Sequence, residues 1–225
     1  MKAIPEWRLD SGHSHPDAGS FIVWAHGRYL TGDTGYAGLP SARNHNTLTF
    51  GGTGQGVETQ HDVWRAMDYR ALDGIRIREA DISNGRARIV ADLAAAYPGT
   101  AGVTAFTRTF TWDGRALFSV VDTVTLEAAR TSEWHLQSDA PFEGTGTRFR
   151  SGEPGGPTLV VSFTAPERIE AAMGPATVKA PGAPGSIEKG SDEQRGHALR
   201  VTAPAARAVR FEVTLEVRPG RAVRR

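Results

Sequence analysis

The fold of this 225-residue chain is decided by one stretch, FTRTFTWDGRALFSVV, which covers residues 106–121. Apolar and polar side chains alternate on both sides of the Asp-Gly pair at 113–114, a strong signal for a two-residue hairpin turn. Such a turn places Trp112 opposite Arg115 and leaves Asp122 on the apolar face of the second strand. The stretch therefore predicts an antiparallel β-hairpin.

Short alternating or apolar runs bounded by Gly, Pro, Asn or Asp recur along the chain and are typical of strands. They cover residues 20–25, 27–31, 46–50, 74–80, 85–93, 132–136, 147–150, 158–163, 197–202 and 208–217. Helical signals are weak: residues 92–97 allow one turn, and the Gly- and Pro-rich segment 179–195 is typical of a mobile loop. We predict one all-β domain over residues 1–225, an antiparallel β-sandwich of two large sheets with few or no helices.

Composition excludes several classes of function. The formal net charge is +1, with 26 basic and 25 acidic residues, whereas nucleic-acid-binding domains carry a clustered basic excess. The chain contains no cysteine, which excludes disulfides, thiolate catalysis and Cys-ligated zinc. No apolar run reaches the length of a membrane span, and the N-terminus shows no apolar core of a signal peptide. We therefore expect neither nucleic acid nor membrane as partner, and the cellular compartment stays open.

Histidine and aspartate are concentrated near the N-terminus. The motifs are His13-Ser14-His15-Pro16-Asp17, Gly32-Asp33-Thr34-Gly35-Tyr36 and Arg43-Asn44-His45-Asn46-Thr47. Short strand-like segments separate them, so imidazole and carboxylate groups are expected to meet at one end of a sheet. Side chains two apart on an extended chain, such as His13 and His15, point to the same face. His and Asp are the residue types that bind zinc and transfer protons near neutral pH.

The order of these motifs is similar to that of the C-terminal domain of heparinase II/III-type polysaccharide lyases. The resemblance extends from about His13 to about Leu136, and includes Ala96-Tyr97-Pro98, Arg108-x-Phe110 and Val120-Val121-Asp122-Thr123-Val124. It implies an antiparallel β-sandwich that carries a zinc ion with a structural role, held by His15, Asp33 and His45. It also implies that His13 is the active-site histidine.

In the complete enzymes of this family, which are usually bacterial and periplasmic or secreted, the β-domain follows an α/α toroid and both domains enclose the substrate cleft. The resemblance implies cleavage of uronic-acid-containing glycans, such as heparin, heparan sulfate or alginate, by β-elimination. That reaction needs a group that neutralises the uronate carboxylate and a His or Tyr that carries protons. The toroid's catalytic tyrosine has no counterpart in this chain. We therefore expect an acidic polysaccharide as substrate and a helical toroid domain upstream or in trans, without which the lyase is incomplete.

Further candidates for substrate binding are Arg43, Asn44, Tyr36, Arg108 and His135. Each has a structural alternative. Arg43 and Asn44 either hold the His45 loop or contact an anionic sugar, and Tyr36 either replaces a missing acid–base group or packs beside the glycine turn. Arg108 either contacts substrate or pairs with Asp122, because a charge among apolar side chains is seldom left unpaired. His135 either lines the cleft or lies on the sheet surface.

Two other functions fit parts of the pattern. A zinc-stabilised sandwich without catalytic activity would bind a glycan or dock a partner domain. A metallo-hydrolase is the other, because HxHxD also occurs in metallo-β-lactamase-like enzymes, but that fold needs a helix directly after the motif. Residues 19–23, Gly-Ser-Phe-Ile-Val, are typical of a strand instead. The lyase domain is therefore the leading hypothesis.

Overall fold

The structure, a computed structural model, describes residues 15–34, 41–58, 63–64, 67–181 and 189–220. Strand accounts for 59% of the structure and helix for 7%, so the all-β prediction is confirmed. The strands are β1 (Trp24–Ala25), β2 (Arg28–Tyr29), β3 (Leu48–Phe50), β4 (Arg76–Ser83), β5 (Arg86–Asp92), β6 (Val103–Trp112), β7 (Leu117–Ser138), β8 (Phe142–Thr145), β9 (Arg148–Ser151), β10 (Thr158–Ala165), β11 (Glu170–Pro181) and β12 (Lys189–Arg218). The helical elements are α1 (Tyr69–Leu72) and the 3-10 helices Ala42–Asn44, Ala94–Ala96 and Gly99–Ala101. None of these helical elements has the length and apolar character needed to cross a membrane.

The strands pair in antiparallel fashion around two long central strands. Ten strands form one hydrogen-bonded sheet, in which eight follow the order β4-β5-β6-β7-β12-β10-β9-β8, while β3 is added to β7 and β11 to β12. The short strands β1 and β2 form a separate two-stranded sheet. β12 pairs with β11 over its first part and with β10 over its last residues, which its length allows.

Both central strands are bent, and the bends turn the sheet into a two-layered sandwich. The indole Nε1 of Trp134 donates a hydrogen bond of 3.1 Å to Asp122 Oδ2, although both residues belong to β7 and are 12 positions apart. Twelve residues of straight strand span about 40 Å, so β7 folds back between them. The pairing of β12 with β7 is irregular at the corresponding place, between Ala203 and Ala208. The predicted sandwich is confirmed, and its layers share two continuous strands.

Apolar side chains from both layers fill the space between them. Phe50 of β3 packs against Phe106 of β6 with ring centroids 6.2 Å apart, and Trp134 packs against Phe163 of β10 at 5.3 Å. Leu199 of β12 is fully buried in the same core. Burying one such side chain contributes about 1.5–3 kcal/mol. The core thus fixes the framework from which the candidate functional residues extend.

The hairpin between β6 and β7 forms where the sequence predicts it, but its register differs. Trp112 pairs with Phe118 rather than with Arg115, so the predicted register is wrong by three positions. The Asp113 carboxylate accepts hydrogen bonds from the backbone N–H groups of Arg115 and Leu117, and these bonds close a longer turn. The same hydrogen bonds lower the pKa of Asp113.

The prediction of a mobile loop over residues 179–195 is wrong where the structure describes that segment. β11 continues to Pro181 and β12 begins at Lys189, and these two residues pair with each other. Residues 182–188 lie outside the described residues. The single turn predicted within residues 92–97 is confirmed, because Ala94–Ala96 forms a 3-10 helix.

Candidate functional site

Residues 15–34, here called the N-terminal segment, are irregular apart from the β1–β2 hairpin. A turn near its start is closed by a 2.9 Å hydrogen bond from Ser20 N–H to Asp17 C=O. The hairpin reverses the chain at His26 and Gly27, which both have positive φ, the geometry of the tightest hairpin turns. The chain before and after the turn therefore runs side by side, and Leu30 N–H donates to Val23 C=O at 2.8 Å.

His45 lies at the end of the 3-10 helix Ala42–Asn44, where its backbone N–H donates to Ala42 C=O at 3.2 Å. The start of this helix is held by Glu58, whose carboxylate accepts hydrogen bonds from Ser41 Oγ at 2.9 Å and Ala42 N at 2.8 Å. The His45 side chain is 2% exposed. The imidazole is therefore placed by a short, firmly anchored turn rather than by a strand.

The three predicted metal ligands come together; His15, Asp33 and His45 are here called the His/Asp cluster. The ring centroids of His15 and His45 lie 5.1 Å apart, and Asp33 Oδ2 lies 3.8 Å from His45 Nδ1. The Asp33 side chain is 38% exposed, so the cluster opens towards solvent on its carboxylate side.

The dimensions of the His/Asp cluster approach those of a zinc site. Two donor atoms at about 2.0–2.1 Å from a tetrahedral zinc lie about 3.4 Å apart, and two imidazole centroids on such an ion lie about 5 Å apart. Two imidazoles and a carboxylate are also donor types that zinc accepts. In the part of the chain that the structure describes, no group of three or more His, Cys, Asp or Glu is already arranged to hold a metal. Metal binding at the cluster would therefore require the side chains to adjust.

Arg108 and Asp122 form a buried ion pair directly across the β6–β7 ladder. Arg108 Nε and Nη2 donate to the two Asp122 carboxylate oxygens at 2.7 and 2.9 Å, and Trp134 Nε1 donates to the same carboxylate. The ion-pair alternative is thus confirmed. Arg108 is 1% exposed, so the structure places it in the interior, where it has no surface to offer a glycan.

Three other predicted substrate-binding residues share one cavity. Arg43, Asn44 and His135 line a cavity of about 470 Å³ together with Arg200 of β12, and we call it the arginine cavity. It lies between the 3-10 helix Ala42–Asn44 and strands β7, β11 and β12. Arg200 already pairs with Glu133 at 3.5 Å, and Arg43 Nη2 donates to Gly52 C=O at 3.2 Å. A guanidinium group has five N–H donors, so both arginines keep donors of the kind that bind carboxylates and sulfates.

His135 is buried beside the arginine cavity and is neutral at ordinary pH. Burial, with smaller contributions from the charges of Arg43 and Arg200, lowers its pKa to about 3. The Thr49 hydroxyl donates to Glu133 Oε2 at 2.7 Å, so its oxygen is left to accept from His135 Nε2 at 3.0 Å. These partners assign the tautomer with hydrogen on Nε2. A group with so low a pKa is a weak base.

His13 and Tyr36 lie outside the described residues, so their predicted roles stay predictions. Two residues of the site, Asn46 and Arg200, have no role predicted from the sequence. Asn46 belongs to the motif Arg43-Asn44-His45-Asn46-Thr47, and its position directly after the candidate ligand His45 is a sequence signal that could have indicated its role. Arg200 has no such signal, because its place beside His135 depends on the register between β7 and β12.

Comparison with known proteins identifies the family. A family model described as heparinase II/III-like, C-terminal, matches residues 4–214. The chain belongs to this family. The resemblance inferred from the motifs is therefore confirmed. A comparison with curated proteins gives no significant match.

Solved structures share the fold of this heparinase II/III-like domain. The heparan sulfate lyase HepC from Pedobacter heparinus superposes with a TM-score of 0.66 at 18% identity, over 94% of this chain and 32% of that one. A heparinase III gene product gives 0.70 at 16% identity, over 99% of this chain and 33% of that one. Another heparinase III gives 0.67 at 13% identity, over 93% and 31%. The chain thus spans about a third of the length of these structures, and at such low identity the likeness shows the fold.

Proposed function

We propose that this protein is the β-sandwich domain of a polysaccharide lyase that cleaves uronic-acid-containing glycans by β-elimination. The observation that carries the proposal is the convergence of His15, Asp33 and His45, which come from separate parts of the chain. Membership of the heparinase II/III-like family and the fold shared with a heparan sulfate lyase support it. The substrate class that fits is an acidic glycan such as heparin, heparan sulfate or alginate.

In this proposal the His/Asp cluster holds a zinc ion with a structural role. Bound zinc would supply a fixed positive charge at which separate chain segments meet. His15 and His45 would offer imidazole nitrogens and Asp33 a carboxylate oxygen, and the exposure of that carboxylate leaves room for a fourth ligand. The chain segments that carry the three ligands would then present the side chains next to these ligands to the substrate.

His13 is the proposed catalytic residue of this domain. It precedes His15 by two positions, and on an extended chain side chains two apart share a face. An imidazole changes charge near neutral pH, so it can neutralise the uronate carboxylate or carry a proton. A helical toroid domain, on the same chain or in trans, supplies the remaining acid–base groups in this proposal.

The arginine cavity is the proposed contact for the anionic groups of the glycan. Arg43, Asn44 and Arg200 line this cavity, and their side chains carry hydrogen-bond donors that suit carboxylate and sulfate groups. Tyr36 is a further proposed contact on the basis of its motif. Arg108 is left out of the substrate site because its guanidinium is buried against Asp122.

The test of the lyase function supplies heparin, heparan sulfate and alginate to the full chain, alone and together with a helical toroid domain from a related lyase. Ultraviolet absorbance follows the unsaturated product. We expect the chain to bind at least one acidic glycan and to form product when the toroid is present. A chain that neither binds nor yields product with any of the three glycans contradicts the proposal.

The test of the zinc site measures bound metal by atomic spectrometry and the melting temperature. We expect His15→Ala to lose the metal and to melt at a lower temperature than the unsubstituted chain. His197→Ala, which removes a partly exposed imidazole on β12, is the matched control and is expected to keep both values. Unchanged metal content in His15→Ala would show that the cluster is not the zinc site.

A second candidate function is a zinc-stabilised module that binds glycan without catalysis. One observation favours it: His135, the histidine that lines the arginine cavity, has its pKa lowered to about 3 by burial, which makes it a poor proton acceptor. Glycan binding without product in the presence of a toroid domain would select this module over the lyase.

A further inference from the structure

We infer that Asn46 is the positioning residue that assembles the His/Asp cluster and that Arg108 supports it. The inference rests on the proposed function where it treats the cluster as a metal site. Asn46 directly follows His45, is fully buried, and has its side-chain amide engaged by backbone groups. Its contribution is therefore to place other groups rather than to contact metal or substrate.

The side-chain amide of Asn46 connects three separate parts of the chain. Nδ2 donates to Phe21 C=O at 2.6 Å and to Gly32 C=O at 3.0 Å, while Oδ1 accepts from Gln137 N–H at 2.7 Å. The partners fix the orientation of the amide, because a carbonyl only accepts and an N–H only donates. One side chain thus uses both of its donors and one acceptor position to join β7 to the stretches of the N-terminal segment before and after the β1–β2 hairpin.

The partners of Asn46 are neighbours of the candidate ligands. Gly32 directly precedes the aspartate of the cluster, Asn46 directly follows its buried histidine, and Phe21 lies in the stretch that begins with the other histidine. The backbone N–H of Asn46 also donates to Ser20 Oγ at 3.2 Å, which adds a second bond to that stretch. The distances within the cluster therefore depend on Asn46.

Arg108 connects this assembly to the interior of the sandwich. Its Nη1 donates to Asn46 C=O at 2.7 Å and to Gly19 C=O at 2.9 Å, while its other nitrogens bind Asp122. A buried ion pair adds little net stability, because the cost of removing both charges from water offsets their attraction. The bonds to the two loop carbonyls, in contrast, define where the loops lie. An apolar side chain of the same volume would not supply those bonds.

Substitution of Asn46 should therefore affect the cluster more than the sheet. In Asn46→Leu the volume is nearly kept, but the Phe21 and Gly32 carbonyls and the Gln137 N–H lose their partner. The N-terminal segment must then shift to let water reach these groups. β3 remains paired to β7 through the main chain, so the sandwich should persist. Residues that orient metal ligands typically change metal affinity by about 10–100-fold, and we expect a loss of that size.

The first measurement is zinc affinity of the full chain, by competition with a chelator, for the unsubstituted protein, Asn46→Leu and Arg108→Lys. Tyr97→Phe is the matched control, because it removes a buried hydroxyl that donates to Leu48 C=O at 2.9 Å. This hydroxyl also accepts from Gln55 Nε2 at 3.4 Å, but the variant keeps both hydrogen bonds of Gln55 to Ala18 in the N-terminal segment. We expect all three variants to melt at a lower temperature. Zinc affinity should fall in the Asn46 and Arg108 variants only, which a merely structural role would not produce.

The second measurement needs no metal. The rings of His15 and His45 are close enough for a nuclear Overhauser effect between their protons, since their centroids lie 5.1 Å apart. We expect this signal in the unsubstituted chain and in Tyr97→Phe, and its loss in Asn46→Leu. Retention of the signal in Asn46→Leu, with unchanged zinc affinity, overturns the inference.

The two measurements separate this inference from the proposed function. If the unsubstituted chain binds no zinc but Asn46→Leu loses the ring contact, the metal assignment fails and the positioning role stands. If Asn46→Leu does not fold, Arg108→Lys replaces it, because lysine keeps a charge for Asp122 but cannot also reach both loop carbonyls. A ring contact and a zinc affinity that are unchanged in Arg108→Lys then overturn the inference.

Discussion

Two regions of this domain are held in place by different kinds of bond. β7 and β12 are paired through their main chains from Ser138 and His197 at one end to Leu117 and Glu216 at the other. The N-terminal segment contains only two short strands. A few main-chain bonds, such as Gly32 N–H to Gln137 C=O, are joined there by bonds from buried side chains, among them Gln55, Asn46 and Arg108. In a ladder, each residue contributes backbone N–H and C=O groups whatever its side chain, so a substitution leaves the pairing intact. A hydrogen bond made by a side chain is lost when that one residue is substituted. The His/Asp cluster should therefore be far more sensitive to single substitutions than the sheet that carries it.

The largest effect is expected for Asp122→Ala, which breaks the link between the two regions. It leaves the guanidinium of Arg108 buried without its carboxylate, and removal of one partner of a buried pair costs about 3–5 kcal/mol. Denaturation with urea measures the loss. Glu143→Ala is the matched control, because its pair with Arg150 is about two-thirds exposed and should contribute at most about 1 kcal/mol. Equal losses in the two variants would contradict the assignment.

Leu199→Ala should damage the ladder region while leaving the cluster intact. Leu199 is fully buried on β12, and removing such a side chain costs about 2–5 kcal/mol. Because the main-chain pairing of β7 and β12 survives, we expect the ring contact between His15 and His45 to remain in the folded fraction. Nuclear magnetic resonance at a temperature below the lowered melting point checks this. Loss of the contact would show that the two regions are not independent.

His135 combines both kinds of bond, because its backbone lies in the β7–β12 ladder while its ring is hydrogen-bonded to the Thr49 side chain. Burial lowers its pKa from 6.5 to about 3, so between these values the unfolded chain binds a proton that the folded chain does not. The free energy of unfolding should therefore fall as the pH falls from about 6.5 to about 3, by a few kcal/mol. Urea denaturation at several pH values checks this, and His135→Gln should show a smaller dependence. The same dependence in the variant would refute the assignment.

A smaller effect is expected for Gly19→Ala in the N-terminal segment. Gly19 has φ +76°, and an added Cβ would lie 2.4 Å from Leu93 Cδ1, so we expect a loss of about 1–3 kcal/mol. Gly27→Ala is the matched control, because Gly27 has the same φ and nothing within 4 Å of an added Cβ. The difference between the two melting temperatures isolates the close approach to Leu93. No difference would show that this approach is easily relaxed.

Much of the fold could be predicted from local sequence, and the errors have tertiary causes. Alternation located strands in most of the places where they occur, but it did not indicate that residues 117–138 form one bent strand. That bend is stabilised by contacts such as Trp134 with Asp122, which no local pattern contains. The hairpin register was wrong because the Asp113 side chain holds a longer turn than an Asp-Gly pair normally forms.

The candidate site could be predicted to the extent that its residues lie in short motifs. The motifs located His15, Asp33 and His45, which the structure brings together. They did not decide the role of Arg108, because a charged residue on a β-strand can either bind a ligand or pair with a buried residue of opposite charge. Arg200 was missed because the register between β7 and β12 determines which residue lies opposite His135, and no local motif contains that register.

The shared strands also determine when this domain can fold. β7 meets its partner residues on β12 only after about 60 to 100 intervening residues, and such non-local pairing is intrinsically slow to form. A nascent chain still attached to the ribosome before β12 has emerged has a central strand with one edge empty. Synthesis of nearly the whole domain must therefore precede its folding, and until then the exposed strand edge is open to chaperones or to aggregation.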